Sequence, residues 1–271
     1  MTKNHLDKYL FIEFKYGLVD PHPIIKSGAN KLMVAASSKD PDFEFLNTVE
    51  KAGLSVGLCT NAYQGECLAD PASLEELKSR VEHLVKQNPN EIWLDYLRFK
   101  SRCIVKGEEP IDTHKPCKFC KNIKREDIVT DYYGQVRKLI PNSIKFGLFA
   151  VAFIDEDYPV YKLKTGLNYS RIKEHVDIIS PMLYHRMMDK PINYIGKYVA
   201  YLREIGYKEI IPIIQVKDMP DELPDNYTED EIKQAYEEAV RPPSSGVAFF
   251  SWDHAVEEGK TEIIKKLFEN Q

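Results

Sequence analysis

Eight short apolar runs, separated by longer amphipathic ones, constrain this chain more than any other feature. The runs are 9–14, 32–36, 54–58, 91–97, 145–153, 176–183, 209–216 and 246–252. Most are nearly continuous in Leu, Ile, Val and Phe, the pattern of strands covered on both faces. Their alternation with helical runs is the mark of βα units and a parallel sheet. In a chain of 271 residues, eight such units predict one domain, 1–271, folded as a closed (β/α)8 TIM barrel. The competing architecture is an open doubly wound sheet. No Gly-rich dinucleotide fingerprint follows the first strand, which counts against it.

The helices carry start and stop signals. Asp40 and Pro41 read as the N-cap and first residue of a helix that Gly53 ends. Ser73 and Glu76 form a capping-box pattern before an apolar stripe of Leu77, Val81 and Leu84. Further helices are expected over 126–139, 192–205, 228–240 and 254–268, with a weak signal after the first strand. One long irregular stretch, 100–124, follows the fourth strand and contains cysteines. A connection of that length in a barrel is usually functional or stapled by a metal.

Composition narrows the partners. The net charge is −5, with no basic stripe, which argues against nucleic acid. No apolar stretch reaches the roughly 20 residues of a membrane span. The segment Met1–Lys8 is polar and has no signal-peptide pattern, so the expectation is a soluble, cytoplasmic protein. Five cysteines are too few for a disulfide framework.

In such a barrel, residues just past each strand face the functional mouth. The strand ends here supply Glu13 and Lys15, Asn61 and Tyr63, Asp95 and Arg98, Asp155 and Asp157, Tyr184 and His185, Gln215, Trp252 and Asp253. Asp95 is the most informative, because it interrupts an otherwise apolar strand. A carboxylate is costly there unless it is paired, as with Arg98, or reaches the mouth.

The run 92–99, IWLDYLRF, resembles the "LDY-x-RF" strand of a group of glycoside-hydrolase-like TIM barrels. The run 176–185, VDIISPMLYH, is similar to the "VD-x-ISPM-x-Y" strand of the same group. The segments 166–169 and 212–215 match in order, with Asn168 where the group has Asp. The resemblance covers roughly residues 90 to 253. It implies a glycoside hydrolase or, as the alternative, a non-catalytic carbohydrate-binding barrel.

Glycoside hydrolysis needs two carboxyl groups across the scissile bond. Asp95 would be the first, as nucleophile or base, kept ionised by Arg98 or Lys15. Asp155 and Asp157 are the nearest partners by topology, and Glu13 and Asp253 are alternatives. Arg98, Tyr63, Asn61, Tyr184, His185, Gln215, Trp252 and Asp253 are the candidate sugar contacts. His185 would suit proton transfer near neutral pH. Trp252 would either floor a subsite or close the barrel core.

A second constellation is Cys103, His114, Cys117 and Cys120. The Cys117–Cys120 spacing is a C-x2-C knuckle, and the four residues suit a structural zinc. The resembling group carries a related Cys-rich element at this place. No cofactor is expected for catalysis, and Cys59 and Cys67 read as plain thiols.

Overall fold

The computed structural model describes residues 6–15, 17, 19–36, 42–62, 67–100, 117–153, 159–219 and 224–270. The strands are β1 (Asp7–Ile12), β2 (Lys31–Ala35), β3 (Ser55–Asn61), β4 (Glu91–Asp95), β5 (Lys145–Val151), β6 (Ile178–Met182), β7 (Glu209–Ile210), β8 (Ile213–Gln215) and β9 (Gly246–Phe250). All pairings are parallel: β1 to β6 each pair with the next, β7 and β8 both pair with β6, β8 pairs with β9, and β9 returns to β1. The result is a closed barrel of eight staves. The seventh stave is split into β7 and β8 because Pro212 has no N–H to give the ladder. Ile211 and Pro212 still bridge the gap, the first donating to Ile179 and the second accepting from Ala248.

Around the barrel run α1 (Pro21–Ile25), α2 (Phe43–Lys51), α3 (Pro71–Lys86), α4 (Arg125–Leu139), α5 (Pro159–Thr165), α6 (Tyr169–Ile172), α7 (Tyr194–Glu204), α8 (Glu229–Ala239), α9 (Trp252–Glu257) and α10 (Thr261–Glu269). Among the described residues, no helix is long and apolar enough to cross a membrane. Three expected starts or stops are corrected. The N-cap of α2 is Asp42, whose Oδ1 accepts from the N–H groups of Glu44 and Phe45. For α3 it is Asp70, with Pro71 at the first helical position, while Ser73 donates its hydroxyl to the carbonyl of Cys67. The expected helix 254–268 is two, because Gly259, at φ +66°, turns the chain between α9 and α10. The helix expected over 228–240 begins where it was read, with Thr228 as the N-cap of α8, and the structure adds a capping box with Glu231.

Each strand divides its side chains by parity. Outward residues such as Leu10, Leu32, Leu58, Ile92 and Leu148 join the large core beneath the helices. Inward ones, Tyr9, Met33, Cys59, Trp93 and Phe149, fill the barrel. Trp93 is fully buried, stacked on Phe149 at 5.3 Å and edge-on to Tyr9 at 6.2 Å. Glycines on both neighbouring strands, Gly57 and Gly147, make room for the indole.

The N-terminal end of the barrel is closed by charge. Glu91 accepts from the Tyr9 hydroxyl (2.9 Å), Lys31 Nζ (2.8 Å) and Trp93 Nε1 (2.9 Å). Lys31 also reaches Asp7 at 3.0 Å, and Lys145 pairs with Glu209. A buried carboxylate is tolerable when its lone pairs are met in this way. The two-residue period that turns Glu91 and Trp93 inward carries Asp95 to the opposite, C-terminal mouth.

Candidate active site

Asp95 is the last residue of β4 and lies beside Asn61 of β3 in the strand register. The next residue, Tyr96, takes a left-handed backbone (φ +57°), a costly conformation for a side chain of this size. That turn brings the Tyr96 N–H to Asp95 Oδ1 at 2.7 Å and the Arg98 N–H to the Tyr96 carbonyl at 2.8 Å. Arg98 is itself buried, with its guanidinium 5.0 Å from the Tyr96 ring.

Burial raises the Asp95 carboxyl to about pKa 6, against the opposing pull of the Tyr96 N–H and the Arg98 charge. Arg98 pulls in the expected direction, toward the ionised form, but burial outweighs it and leaves the carboxyl above the ordinary carboxylate range. The cause is the loss of water around a charge at the rim of an apolar barrel. The charge of Asp95 is felt in turn by the buried Cys59 thiol and Tyr133 phenol. Both are pushed up, mainly by their own burial.

The mouth has an aromatic floor. Phe11 lies 5.1 Å from Phe250 and 5.6 Å from Phe149, and Tyr184 lies 5.4 Å from Phe250. Met182 and Met187 pack against the same cluster. Tyr184 was among the sequence candidates; Phe11, Phe149 and Phe250 were not. The inward parity set by Tyr9, by Gly147 and by Gly246 was the signal that points to them.

Glu13 follows β1, half-buried. Its Oε2 accepts from the Ser251 hydroxyl at 2.8 Å and lies 3.9 Å from His254 Nε2. Lys15 Nζ is 3.5 Å from the same ring nitrogen. Asp253 sits beneath this loop and accepts the N–H groups of Glu13 (2.8 Å) and Lys15 (3.1 Å). Its two oxygens are therefore engaged in holding the end of the first stave, not turned to a ligand.

On the far side, Arg186 pairs with Asp218 (2.8 Å) and Glu231 (2.7 Å), tying the exit of β6 to that of β8. Beside it, burial lowers His185 to about pKa 4, so the imidazole is neutral at pH 7. The expected proton transfer near neutrality is thus corrected. Gln215 is fully buried, donates Nε2 to the Lys217 carbonyl at 2.7 Å, and has no partner for Oε1 among the described residues. Trp252 is buried in the outer core under the helices, so its ring closes the fold instead of flooring the mouth. Asn168 donates to Glu126 at 2.8 Å and begins α6.

Tyr63, Asp155, Asp157, Cys103 and His114 lie outside the described residues. The remaining cysteines of the expected knuckle, Cys117 and Cys120, meet a third that was read as a plain thiol. The sulfurs of Cys67, Cys117 and Cys120 all lie within 4.8 Å of one another and could hold a metal ion.

No protein-family model matches this sequence, and no curated protein sequence is detectably similar. Solved structures do match in fold. The PgaB (BpsB) glycoside hydrolase domain from Bordetella bronchiseptica superposes with a TM-score of 0.69 at 10% identity, over 97% of this chain and 99% of that one. The spore cortex-lytic enzyme SleL of Bacillus cereus gives 0.64 at 10% identity, over 99% and 75%. A chitinase from Bacteroides thetaiotaomicron gives 0.64 at 10% identity, over 97% and 96%. At these identities the likeness is one of fold.

Proposed function

We propose that this barrel hydrolyses glycosidic bonds and that Asp95 transfers the proton. The observation that carries the reading is the Asp95 carboxyl, turned into the mouth at the end of β4 and raised to about pKa 6. A carboxyl poised there can give a proton to a leaving glycosidic oxygen and take one back from water. This is a different duty from the nucleophile or base expected from sequence, and it follows from desolvation. The aromatic floor of Phe11, Phe149, Phe250 and Tyr184 supplies faces on which a sugar ring can stack. Glycoside hydrolase domains among the structural neighbours support a carbohydrate ligand.

The reaction needs a second carboxylate, to attack the anomeric carbon or to activate the water that does. Glu13 is the candidate among the described residues, held by Ser251. Asp155 and Asp157 are the other two. As the C–O bond breaks, Asp95 delivers its proton to the departing oxygen. The second carboxylate either bonds to the anomeric carbon or takes the proton of the incoming water.

The test is turnover of a panel of aryl glycosides and natural oligosaccharides by the wild type and Asp95→Asn. The expected result is turnover that falls by about 10²–10⁴-fold in the variant. Equal turnover in both proteins removes Asp95 from the chemistry. Sugar binding without turnover in folded wild type supports the non-catalytic carbohydrate-binding barrel instead.

A further inference from the structure

Cys67 stands between β3 and α3, and Cys117 and Cys120 stand just before α4. Far apart in sequence, the three sulfurs converge within 4.8 Å of one another. Cys117 and Cys120 are not joined by a disulfide, since their sulfurs are 3.7 Å apart. That spacing has a meaning. Two thiolates bound to one zinc at about 2.3 Å in tetrahedral geometry are separated by about 3.8 Å. The pair is thus held at the edge length of a tetrahedral thiolate site.

The backbone is arranged to match. The Phe119 N–H points at Cys117 Sγ (3.4 Å) and the Cys117 N–H at Cys120 Sγ (3.2 Å). Such donors stabilise sulfur that carries negative charge. The third sulfur is fixed independently. The Cys67 carbonyl accepts from Ser73 Oγ (3.0 Å) and the Asp70 N–H (3.0 Å), and the next carbonyl, of Leu68, accepts from the Tyr132 hydroxyl on α4. The loop that carries Cys67 is therefore docked on the helix that follows the knuckle.

We infer that Cys67, Cys117 and Cys120 bind one thiophilic divalent cation, zinc by chemistry. The ion staples the β3–α3 loop to the entry of α4. Three soft ligands select zinc over hard cations such as magnesium or calcium. Each cysteine gives up its thiol proton to solvent as its Zn–S bond forms, so no electron changes hands. The site is structural and separate from the proposed hydrolytic chemistry at Asp95.

The test uses the full chain, purified under reducing conditions. Zinc is quantified in the wild type and in Cys67→Ser, Cys117→Ser and Cys120→Ser, with Cys59→Ser as a control outside the cluster. Wild type and the control should carry about one zinc per chain, and the three variants should lose most of it. Cobalt replacing zinc should give the thiolate-to-metal charge-transfer band and intense visible bands of a tetrahedral thiolate site. If a serine variant does not fold, cobalt titration of the wild type still decides. Wild type with neither bound zinc nor a charge-transfer band overturns the inference. Undiminished zinc and an unchanged cobalt spectrum in folded Cys67→Ser overturn the role of Cys67.

Discussion

Asp253, beyond the last stave of the barrel, accepts the backbone N–H of Glu13, beyond the first, at 2.8 Å. A second bond, from the Lys15 N–H to its other oxygen at 3.1 Å, makes the carboxylate a two-point clamp across the seam where the barrel closes. The clamp sets the position of Glu13 and of the Ser251–Glu13 hydrogen bond. Asp253→Ala leaves two backbone donors unmet and should destabilise the fold by about 2–4 kcal/mol. Urea unfolding measures this. A loss no greater than that of a surface substitution would show that the clamp holds nothing.

The raised carboxyl of Asp95 couples stability to pH. Its folded value, about 6, lies above the ordinary 3.8, so the native state holds the proton more tightly than the unfolded chain between these limits. Stability therefore falls as pH rises from about 4 to about 6, and the penalty persists above that. Asp95→Asn abolishes it. The variant should match wild type near pH 4 and exceed it near pH 7, by up to about 3 kcal/mol. Denaturant curves at the two pH values make the comparison, and a variant less stable than wild type at pH 7 refutes the assigned burial.

His185 behaves in the opposite sense. Burial drives it down to about 4, so it is neutral in the native state where the unfolded chain would already be protonated. Its contribution is intact above pH 6.5 and is lost as pH falls toward 4. NMR titration of the ring should find its midpoint near 4. A midpoint close to 6.5 means the ring is hydrated, and His185 then regains its candidacy for proton transfer.

Trp93 and Gly147 test the interior. A Cβ on Gly147 would lie 2.3 Å from the indole Cε3, well inside contact distance. Gly147→Ala should cost about 1–3 kcal/mol through overpacking. Most of this should be recovered by Trp93→Leu in the same chain, because neighbouring substitutions are not additive. A neutral Gly147→Ala in thermal denaturation shows that the indole can move aside.

Glu91 tests the charged plug. Its carboxylate is buried among Tyr9, Lys31 and Trp93, and Glu91→Ala strands the ammonium of Lys31. The expected loss is about 3–5 kcal/mol. A replacement that costs nothing would mean that Lys31 finds Asp7 sufficient, since the two are already 3.0 Å apart.

The staves were legible because strands buried on both faces must be apolar along their whole length. Asp95 was legible because a carboxylate in such a run has few places to go. Local capping chemistry was partly legible. Thr228 began its helix where it was read, but Asp70 took the cap assigned to Ser73, which turned its hydroxyl to the Cys67 carbonyl. Several aspartates and serines before a helix can serve as a cap, and only the backbone path selects one.

Eight continuous apolar runs alternating with helical ones, read from sequence alone, determined the closed parallel barrel and put Asp95 at the end of its fourth strand. Tertiary structure alone decided what surrounds that carboxyl. It set the aromatic floor, turned Asp253 into a clamp and drew Trp252 into the outer core. It also brought Cys67 across to Cys117 and Cys120. The division has a physical cause. Periodicity is a property of neighbours along the chain. Desolvation, pKa and ligand geometry depend on groups far apart in sequence, whose distances exist only once the barrel has closed.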